Sequence, residues 1–411
     1  MAYLLEDPER LYINWYIASN QITLNMSQKL VVTTFKGLEQ ALLEEVKSLG
    51  LKDVVIINRG VSGYGDLSTV YRLNYGCRLG LQVLVMLSEC TVNTAEDLYN
   101  SVLDIPWESL FDAGKSFAVK ANINHNDAFD NSMFVALKTK DAIADRFRKT
   151  SGKRPNVDKD DPDVSVYVHI FRTECSIFLN ASGTPLYVRG YRMQTGPAPL
   201  NEVLAAGILS LTGWDSKQPL LDLMCGSGTF LTEAALISRG IAPAFMRKKF
   251  AFLHWLNKDY ALWESVKQEW ETSHNMVHQP DLCGIDKDLS VIRKARQNIE
   301  HAGLKNYIRL FCSDFQSYQY NSPGGLIICN PPYGERMQDD EILTLYKSLG
   351  DTLKKNFQGS DAWIFSGSPE GFKSIGLKHS ASIELFNGGI ECRLRKYSLY
   401  QGSKKTRAEH V

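Results

Sequence analysis

Leu221-Asp222-Leu223-Met224-Cys225-Gly226-Ser227-Gly228-Thr229-Phe230 runs from an apolar stretch through two glycines into residues with helical spacing. It reads as a strand, a tight turn and the start of a helix. Glycine lets backbone approach a ligand closely, and the first turn of a helix leaves N–H groups without intrahelical partners. A dinucleotide fingerprint requires a third glycine three residues past Gly228, where Leu231 stands, so nicotinamide binding is demoted. Plain packing of helix on strand is the alternative for the same turn.

Outward from this turn, strands alternate with helices. Leu282 to Ile285 precedes a helix from Leu289 to Ala302 closed by Gly303. Ile308 to Cys312 and Leu326 to Cys329 follow, then a helix through Ile342, Leu345, Tyr346, Leu349 and Leu353, and a strand from Ala362 to Ser366. This pattern over residues 201–400 predicts an α/β fold, a doubly wound and mostly parallel sheet with helices on both faces. Ligands of such sheets sit at the carboxyl ends of the strands.

Those ends carry acceptors in order. The second strand ends at Asp286, beside Lys287; the carboxylate suits the two hydroxyls of a ribose, or caps the helix that follows. The third ends at Cys312-Ser313-Asp314-Phe315, where Asp314 can accept from an adenine amino group and Phe315 can cover the ring, or Asp314 is a loop residue. The fourth ends at Asn330-Pro331-Pro332-Tyr333-Gly334-Glu335-Arg336. Neither proline donates to a ladder and each fixes φ, so Asn330, the Pro331 carbonyl and Tyr333 leave the strand at nearly fixed angles. Two acceptors and a flat ring fit a planar exocyclic amine; an ordinary Pro-Pro turn is the competing reading. Gly114-Lys115-Ser116 only imitates the tail of a phosphate loop, since position 109 is serine and no strand leads in.

The chain of 411 residues, 44% hydrophobic, has the composition of a globular protein with two or three domains. No apolar run approaches the roughly 20 residues of a bilayer span, and the acidic start lacks a secretory core. The expected location is cytoplasmic, with no membrane partner. Eight scattered cysteines form no C-x-x-C pair, so neither a disulfide framework nor a metal site is signalled. Lys plus Arg equals Asp plus Glu at 46 each, so nucleic-acid affinity must come from local patches. One lies at residues 138–159, with Lys138, Lys140, Arg146, Arg148, Lys149, Lys153, Arg154 and Lys159; another is the end, from Arg393 through Arg395 and Lys396 to the tail of residues 401–411. Such runs are also ordinary solvated faces.

The first half reads as a small α+β region. Residues 1–28 form an extension or start-site artefact before the strand Leu30 to Thr34. A helix through Leu38, Leu42, Val46 and Leu49 stops at Gly50. Val54 to Asn58, Ser68 to Asn74, Leu81 to Ser88 and Phe117 to Asn122 are short elements, Met133 to Lys149 is helical, and Val164 to Ile170 with Cys175 to Asn180 forms a hairpin. A Gly- and Pro-rich linker spans residues 181–200, before a helix beginning near Asn201.

The ordered strand ends resemble the Rossmann-like class I S-adenosylmethionine-dependent methyltransferases, and Asn330 to Tyr333 resembles the branch that methylates exocyclic nitrogens. The separation of Asp222 and Asp286 departs from a simple strand–helix–strand unit. The extra residues, 240–280, carry Phe250, Phe252, Trp255, Trp263 and Trp270, which read as an aromatic core covering the sheet, or else the basic edge at Arg247, Lys248 and Lys249 touches substrate. Lys29 to about Ser398 is similar to the N-terminal portion of the bacterial bifunctional 23S ribosomal RNA guanine-N2 methyltransferases, a THUMP-containing family. The matching segments are Phe35 to Glu39, Lys138 to Asp145, Arg154 to Asp158, Leu186 to Arg192, Leu221 to Thr229 and Asn330 to Arg336.

The resemblance implies a ferredoxin-like part at 29–68, a THUMP RNA-binding domain at 69–180 and a methyltransferase domain at 201–400. It implies S-adenosylmethionine as cofactor, held by Asp222, Cys225, Gly226, Ser227, Gly228, Thr229, Asp286, Lys287, Asp314, Phe315 and Asn330. Asn330, Pro331, Pro332 and Tyr333 become the catalytic corner, with Tyr333 stacked on the base. Lys138, Lys140, Arg148, Lys149, Lys153, Arg154 and Asn156 become RNA contacts. The implied partner is 23S ribosomal RNA or a large-subunit precursor particle. Methylation of adenine N6 or of a protein glutamine suits the same corner, and a non-catalytic RNA-binding assembly factor is the alternative of a different class.

Overall fold

A computed structural model describes residues 27–193, 200–273, 278–319, 325–333 and 339–400. The first unit is built from β1 (Gln28–Thr33), α1 (Glu39–Ser48), β2 (Lys52–Ile57), β3 (Gly60–Gly65), α2 (Leu67–Gly76) and β4 (Gln82–Thr91). Leu42, Leu43 and Val46 bury one face of α1, and Gly50 at φ +95° ends it, as the spacing predicts. Asp66 caps α2 by accepting from the Thr69 N–H at 2.8 Å. β3 has no counterpart in the sequence reading, because Gly-Val-Ser-Gly-Tyr-Gly looks like loop; a Cβ at Gly63 would lie 2.6 Å from the Lys52 carbonyl oxygen.

The same sheet continues through α3 (Ala95–Leu103), β5 (Phe117–Asn124), α4 (Ser132–Ser151), β6 (Val164–Phe171) and β7 (Glu174–Asn180). Its order is β2-β3-β1-β4-β7-β6-β5, with β5 and β6 parallel and the other pairs antiparallel. The β6–β7 hairpin is the expected one. The first βαββαβ unit closes only with β4, so it runs past the division expected at 68.

The second sheet follows α5 (Glu202–Leu211), whose Asn201 cap accepts from the Val203 N–H at 2.9 Å. Its elements are β8 (Leu220–Asp222), α6 (Thr229–Ser238), α7 (Tyr260–Ser273), β9 (Leu282–Asp286), α8 (Leu289–His301), β10 (Ile308–Cys312), β11 (Leu326–Cys329), α9 (Asp339–Asn356), β12 (Asp361–Ser366), α10 (Pro369–Ser374), β13 (Ala381–Asn387) and β14 (Ile390–Ser398). The order is β10-β9-β8-β11-β12-β14-β13, parallel except at β14. β8 pairs with β9 on one side and β11 on the other, so the chain reverses its direction of travel there. α5, α6 and α8 cover one face of the sheet, and α9 and α10 the other. The closing antiparallel pair β13–β14 goes beyond the sequence reading.

Two expectations are corrected here. The aromatic residues of 240–280 cover α2 of the first unit rather than the second sheet. Trp263 stands edge-on to Tyr71 and Tyr75 with centroids 5.6 Å away, and Trp270 stands 6.1 Å from Tyr75. Phe250, Phe252 and Trp255 belong to that same core. Each such ring contributes roughly 1.5–3 kcal/mol by burial, so the insertion clamps the two units together. The linker is a packed strap at least as far as Met193. Ala181 and Leu186 N–H donate to the Val83 and Leu81 carbonyls, and Arg189 and Tyr191 are buried.

A buried ion cluster completes that joint. Glu233 of α6 is fully buried; it accepts from Arg78 Nη1 at 3.3 Å and Tyr191 Oη at 3.0 Å, and Arg189 Nε lies 3.6 Å away. Arg78 comes from the first unit, Arg189 and Tyr191 from the strap. Glu233 therefore ties three segments at one point.

Candidate active site

The glycine turn leaves β8 at the reversal of strand order, where a crevice opens at the carboxyl ends. Its path is set by backbone: Leu223 N–H donates to the Ile328 carbonyl at 3.1 Å and Cys225 N–H to the Ile285 carbonyl at 2.9 Å. Gly226 has φ +55°, and a Cβ there would meet nothing within 4 Å, so the turn presents open backbone to the crevice. A cavity of about 570 Å³ lies there.

Most of the expected cofactor residues line that cavity: Asp222, Cys225, Gly226, Ser227, Thr229, Asp286, Lys287, Asp314, Phe315 and Asn330. Gly228 does not. At φ +81° it faces α8, where a Cβ would come within 3.4 Å of Ala295 Cβ and 3.3 Å of Ile299, so its smallness serves helix packing.

Asp286 accepts from the Gly226 N–H at 3.1 Å and the Asp288 N–H at 3.0 Å. Asp288, and not Asp286, caps α8 by accepting from the Ser290 N–H at 2.7 Å. Asp286 is thereby left facing the turn and the cavity. Asp314 accepts from the Gln316 N–H at 2.8 Å, the local turn of a loop residue, while still lining the cavity. Phe315 is mostly packed into the core beneath. Burial pushes the Asp222 carboxyl up to about 8; the Met224 N–H bond opposes this and the charge of Asp286 adds to it.

At the end of β11, Asn330 Oδ1 is buried and has no hydrogen-bond partner among the described residues. A buried acceptor without a partner is expensive, roughly 1–3 kcal/mol, and such atoms mark places where a ligand completes the set. Pro332 shares the cavity wall, and Pro331 is buried behind it. Tyr333 corrects an expectation: it does not line the cavity. Its ring is 4% exposed, and its hydroxyl accepts from Asn387 Nδ2 at 2.8 Å. Gly334, Glu335 and Arg336 lie outside the described residues.

Sequence reasoning missed Arg192 and Asn298. Arg192 Nε donates to Glu202 at 2.8 Å, and its Nη atoms reach Thr229 Oγ1 at 3.1 Å and Ser227 Oγ at 3.5 Å. Asn298 donates to the Ser227 carbonyl at 3.3 Å and accepts from the Met193 N–H at 2.9 Å. The strap and α8 thus hold the turn from two sides. Both signals lie in through-space pairing, which local sequence does not display.

The basic patch divides. Arg146 is paired with Glu108, Arg148 with Asp145 at 2.6 Å, and Lys140 with Asp141 at 2.8 Å. Lys138 lies over the Tyr99 ring at 4.7 Å. Lys149, Lys153, Arg154 and Asn156 are exposed around the end of α4. At the other expected patch, Arg393 pairs with Glu384 and Glu391, and Lys396 with Asp361; the tail of 401–411 is outside the described residues.

Residues 189–396 match the family described as RMKL-like, methyltransferase domain. The chain belongs to that family. Ahead of the RMKL-like domain, residues 29–84 match the RlmL ferredoxin-like domain and 92–180 the THUMP domain, in agreement with the βαββαβ unit and the strands that extend it. The ribosomal RNA large subunit methyltransferase K/L of Pseudomonas paraeruginosa is 39% identical over 377 residues, 89% of this chain and 52% of that protein. The protein of the same name from Ectopseudomonas mendocina is 37% identical over 397 residues, 93% of this chain and 55% of that protein. This RMKL-like chain therefore spans about half the length of the curated relatives it matches. Among solved structures, SMU.472 complexed with SAH is 28% identical with a TM-score of 0.83, covering 92% of this chain and 99% of that one. A Listeria monocytogenes protein described as a predicted N6-adenine-specific DNA methylase is 27% identical with a TM-score of 0.82, covering 96% and 99%.

Proposed function

We propose that this RMKL-like methyltransferase transfers a methyl group from S-adenosylmethionine to the exocyclic N2 of a guanine in 23S ribosomal RNA. The observation that carries the reading is Asn330 at the end of β11: it lines the cavity that the Gly226 turn opens, and its Oδ1 has no hydrogen-bond partner among the described residues. About 570 Å³ suits a nucleoside-sized ligand, and the polar groups needed to orient one converge there. Asp286 fits the ribose hydroxyls: it lines the cavity, and each carboxylate oxygen, while accepting one backbone N–H, keeps a further lone pair. Asp314 fits an adenine amino group, beside the wall that Phe315 makes. The bound cofactor supplies an electrophilic methyl group.

Guanine N2 is a poor nucleophile because its lone pair is delocalised into the ring. Asn330, on the cavity wall, accepts one of its hydrogens, which favours a more tetrahedral nitrogen and helps to aim the lone pair. The rate gain is alignment plus stabilisation of positive charge developing on nitrogen. An arriving amine gives Asn330 Oδ1 a hydrogen bond that no described residue supplies, so the interaction is strongest in the reacting complex. The base must be unpaired or flipped out to reach the corner, and Lys149, Lys153 and Arg154 of the THUMP domain help to hold the RNA.

Adenine N6 is the second reading, favoured by the name of the Listeria relative. Protein-free ribosomal RNA, S-[methyl-³H]adenosylmethionine and nucleoside analysis of the product separate the two. Label in N2-methylguanosine is expected; label in adenosine, or in protein alone, overturns the assignment.

A further inference from the structure

We infer that Asn387, the last residue of β13, is a positioning residue for methyl transfer that anchors the target corner from behind through the hydroxyl of Tyr333. The inference rests on the methyl-transfer reading above. Tyr333 Oη accepts from Asn387 Nδ2 at 2.8 Å and from Cys392 Sγ at 3.6 Å. Its ring is 4% exposed, and a Cβ at Gly367 would come within 3.0 Å of it, so the ring has a fitted slot beneath the β13–β14 hairpin. Residues 330–333 are consequently held at both ends. At the front, Cys329 is in register with Ile364 in the β11–β12 ladder; at the back, the tyrosine is locked into an antiparallel hairpin. Between them the two prolines fix φ.

This arrangement assigns Tyr333 a role other than stacking. A ring packed under the hairpin presents no face to the cavity, whereas its hydroxyl fixes where the Asn330 carboxamide points. Released at the rear, the corner samples more angles, and misplacement on the order of 1 Å can lower a rate about 100-fold. Neither Asn387 nor Gly367 lines the cavity, so their influence passes through Tyr333.

Tyr333→Phe, Asn387→Ala and the double variant separate the two roles, because stacking needs the ring and anchoring needs the hydroxyl. Single-turnover transfer to protein-free ribosomal RNA, SAH affinity by calorimetry, and hydrogen exchange across residues 326–333 are measured on the full chain. Each single variant is expected to transfer roughly tenfold more slowly, with SAH affinity unchanged and exchange at Asn330 and Tyr333 faster. The double variant should be no slower than Tyr333→Phe, since losing the hydroxyl already removes the bond from Asn387. Full-rate transfer by Tyr333→Phe, or losses that multiply, overturns the inference. If the parent labels no RNA at all, the proposed function fails, and exchange alone decides the anchor: unchanged exchange in both variants removes it.

Discussion

The Gly226 N–H donates to Asp286 Oδ2 at 3.1 Å, so the turn after β8 and the acidic end of β9 form one unit. Because that carboxylate both shapes the turn and faces the cavity, Asp286→Ala removes a ligand acceptor and loosens the backbone around it. Hydrogen bonds to a charged acceptor are worth about 1.5–3 kcal/mol, which predicts a loss of roughly 10–100-fold in S-adenosylmethionine affinity by calorimetry. An unchanged dissociation constant would take Asp286 out of the site.

Asp222 makes the ligand-free protein sensitive to pH. Burial pushes its carboxyl up to about 8, whereas an unfolded chain titrates it near 3.9. Between about pH 4 and pH 8 the folded protein keeps a proton that the unfolded chain has lost. Its contribution to stability is therefore fullest below about pH 4 and is lost as pH rises toward 8. Asp222→Asn should flatten that slope, so the melting temperature of the variant relative to the parent increases from about pH 5 to about pH 8. A difference that stays constant across this range would mean the carboxyl titrates normally.

Asn330→Ala should separate binding from chemistry. Asn330 lines the cavity and no described residue donates to its Oδ1, so cofactor affinity is expected to stay within about twofold while transfer falls by roughly 100-fold or more. Calorimetry and single-turnover labelling read the two quantities independently. Equal losses in both would contradict the role assigned to the carboxamide.

What was legible in the sequence is what local chemistry decides. Asn201 and Gly50 announce a helix start and a helix stop because capping is settled within a few residues. The acceptors at 222, 286, 314 and 330 fall at strand ends because the apolar runs stop there. Contacts made across space left no such mark. Trp263 and Trp270 signal a packed core but not which core, and Arg192 reads as one more charge before a helix. The prolines at 331 and 332 declare stiffness, yet the side to which the Tyr333 ring falls depends on Asn387, fifty-four residues away. β3 was hidden by the glycines that its close neighbours demand.

Glu233 joins the two units through Arg78, Arg189 and Tyr191, all deeply placed. Removing the carboxylate takes the ion-pair partner from two buried guanidinium groups, and breaking a buried pair in this way costs about 3–5 kcal/mol. Glu233→Ala should lower the urea midpoint accordingly, with Glu233→Gln milder because it keeps an acceptor for Tyr191 and Arg78. A midpoint unchanged in Glu233→Ala would show that water replaces the carboxylate.

The exposed end of α4 supplies a last test, on the RNA side. Lys149, Lys153 and Arg154 reach solvent, whereas Arg146 and Arg148 already satisfy carboxylates within the domain. Counter-ion release makes the salt slope of binding count phosphate contacts, about 0.7–0.9 per contact. Reversing all three charges to glutamate should weaken binding to ribosomal RNA and reduce the slope of log affinity against log salt by roughly two, with cofactor affinity untouched. Reversing Arg146 alone should instead destabilise the fold through its lost pair with Glu108, without a matching change in slope. If the triple variant binds RNA with the parent's slope, the RNA lies on another face of the domain.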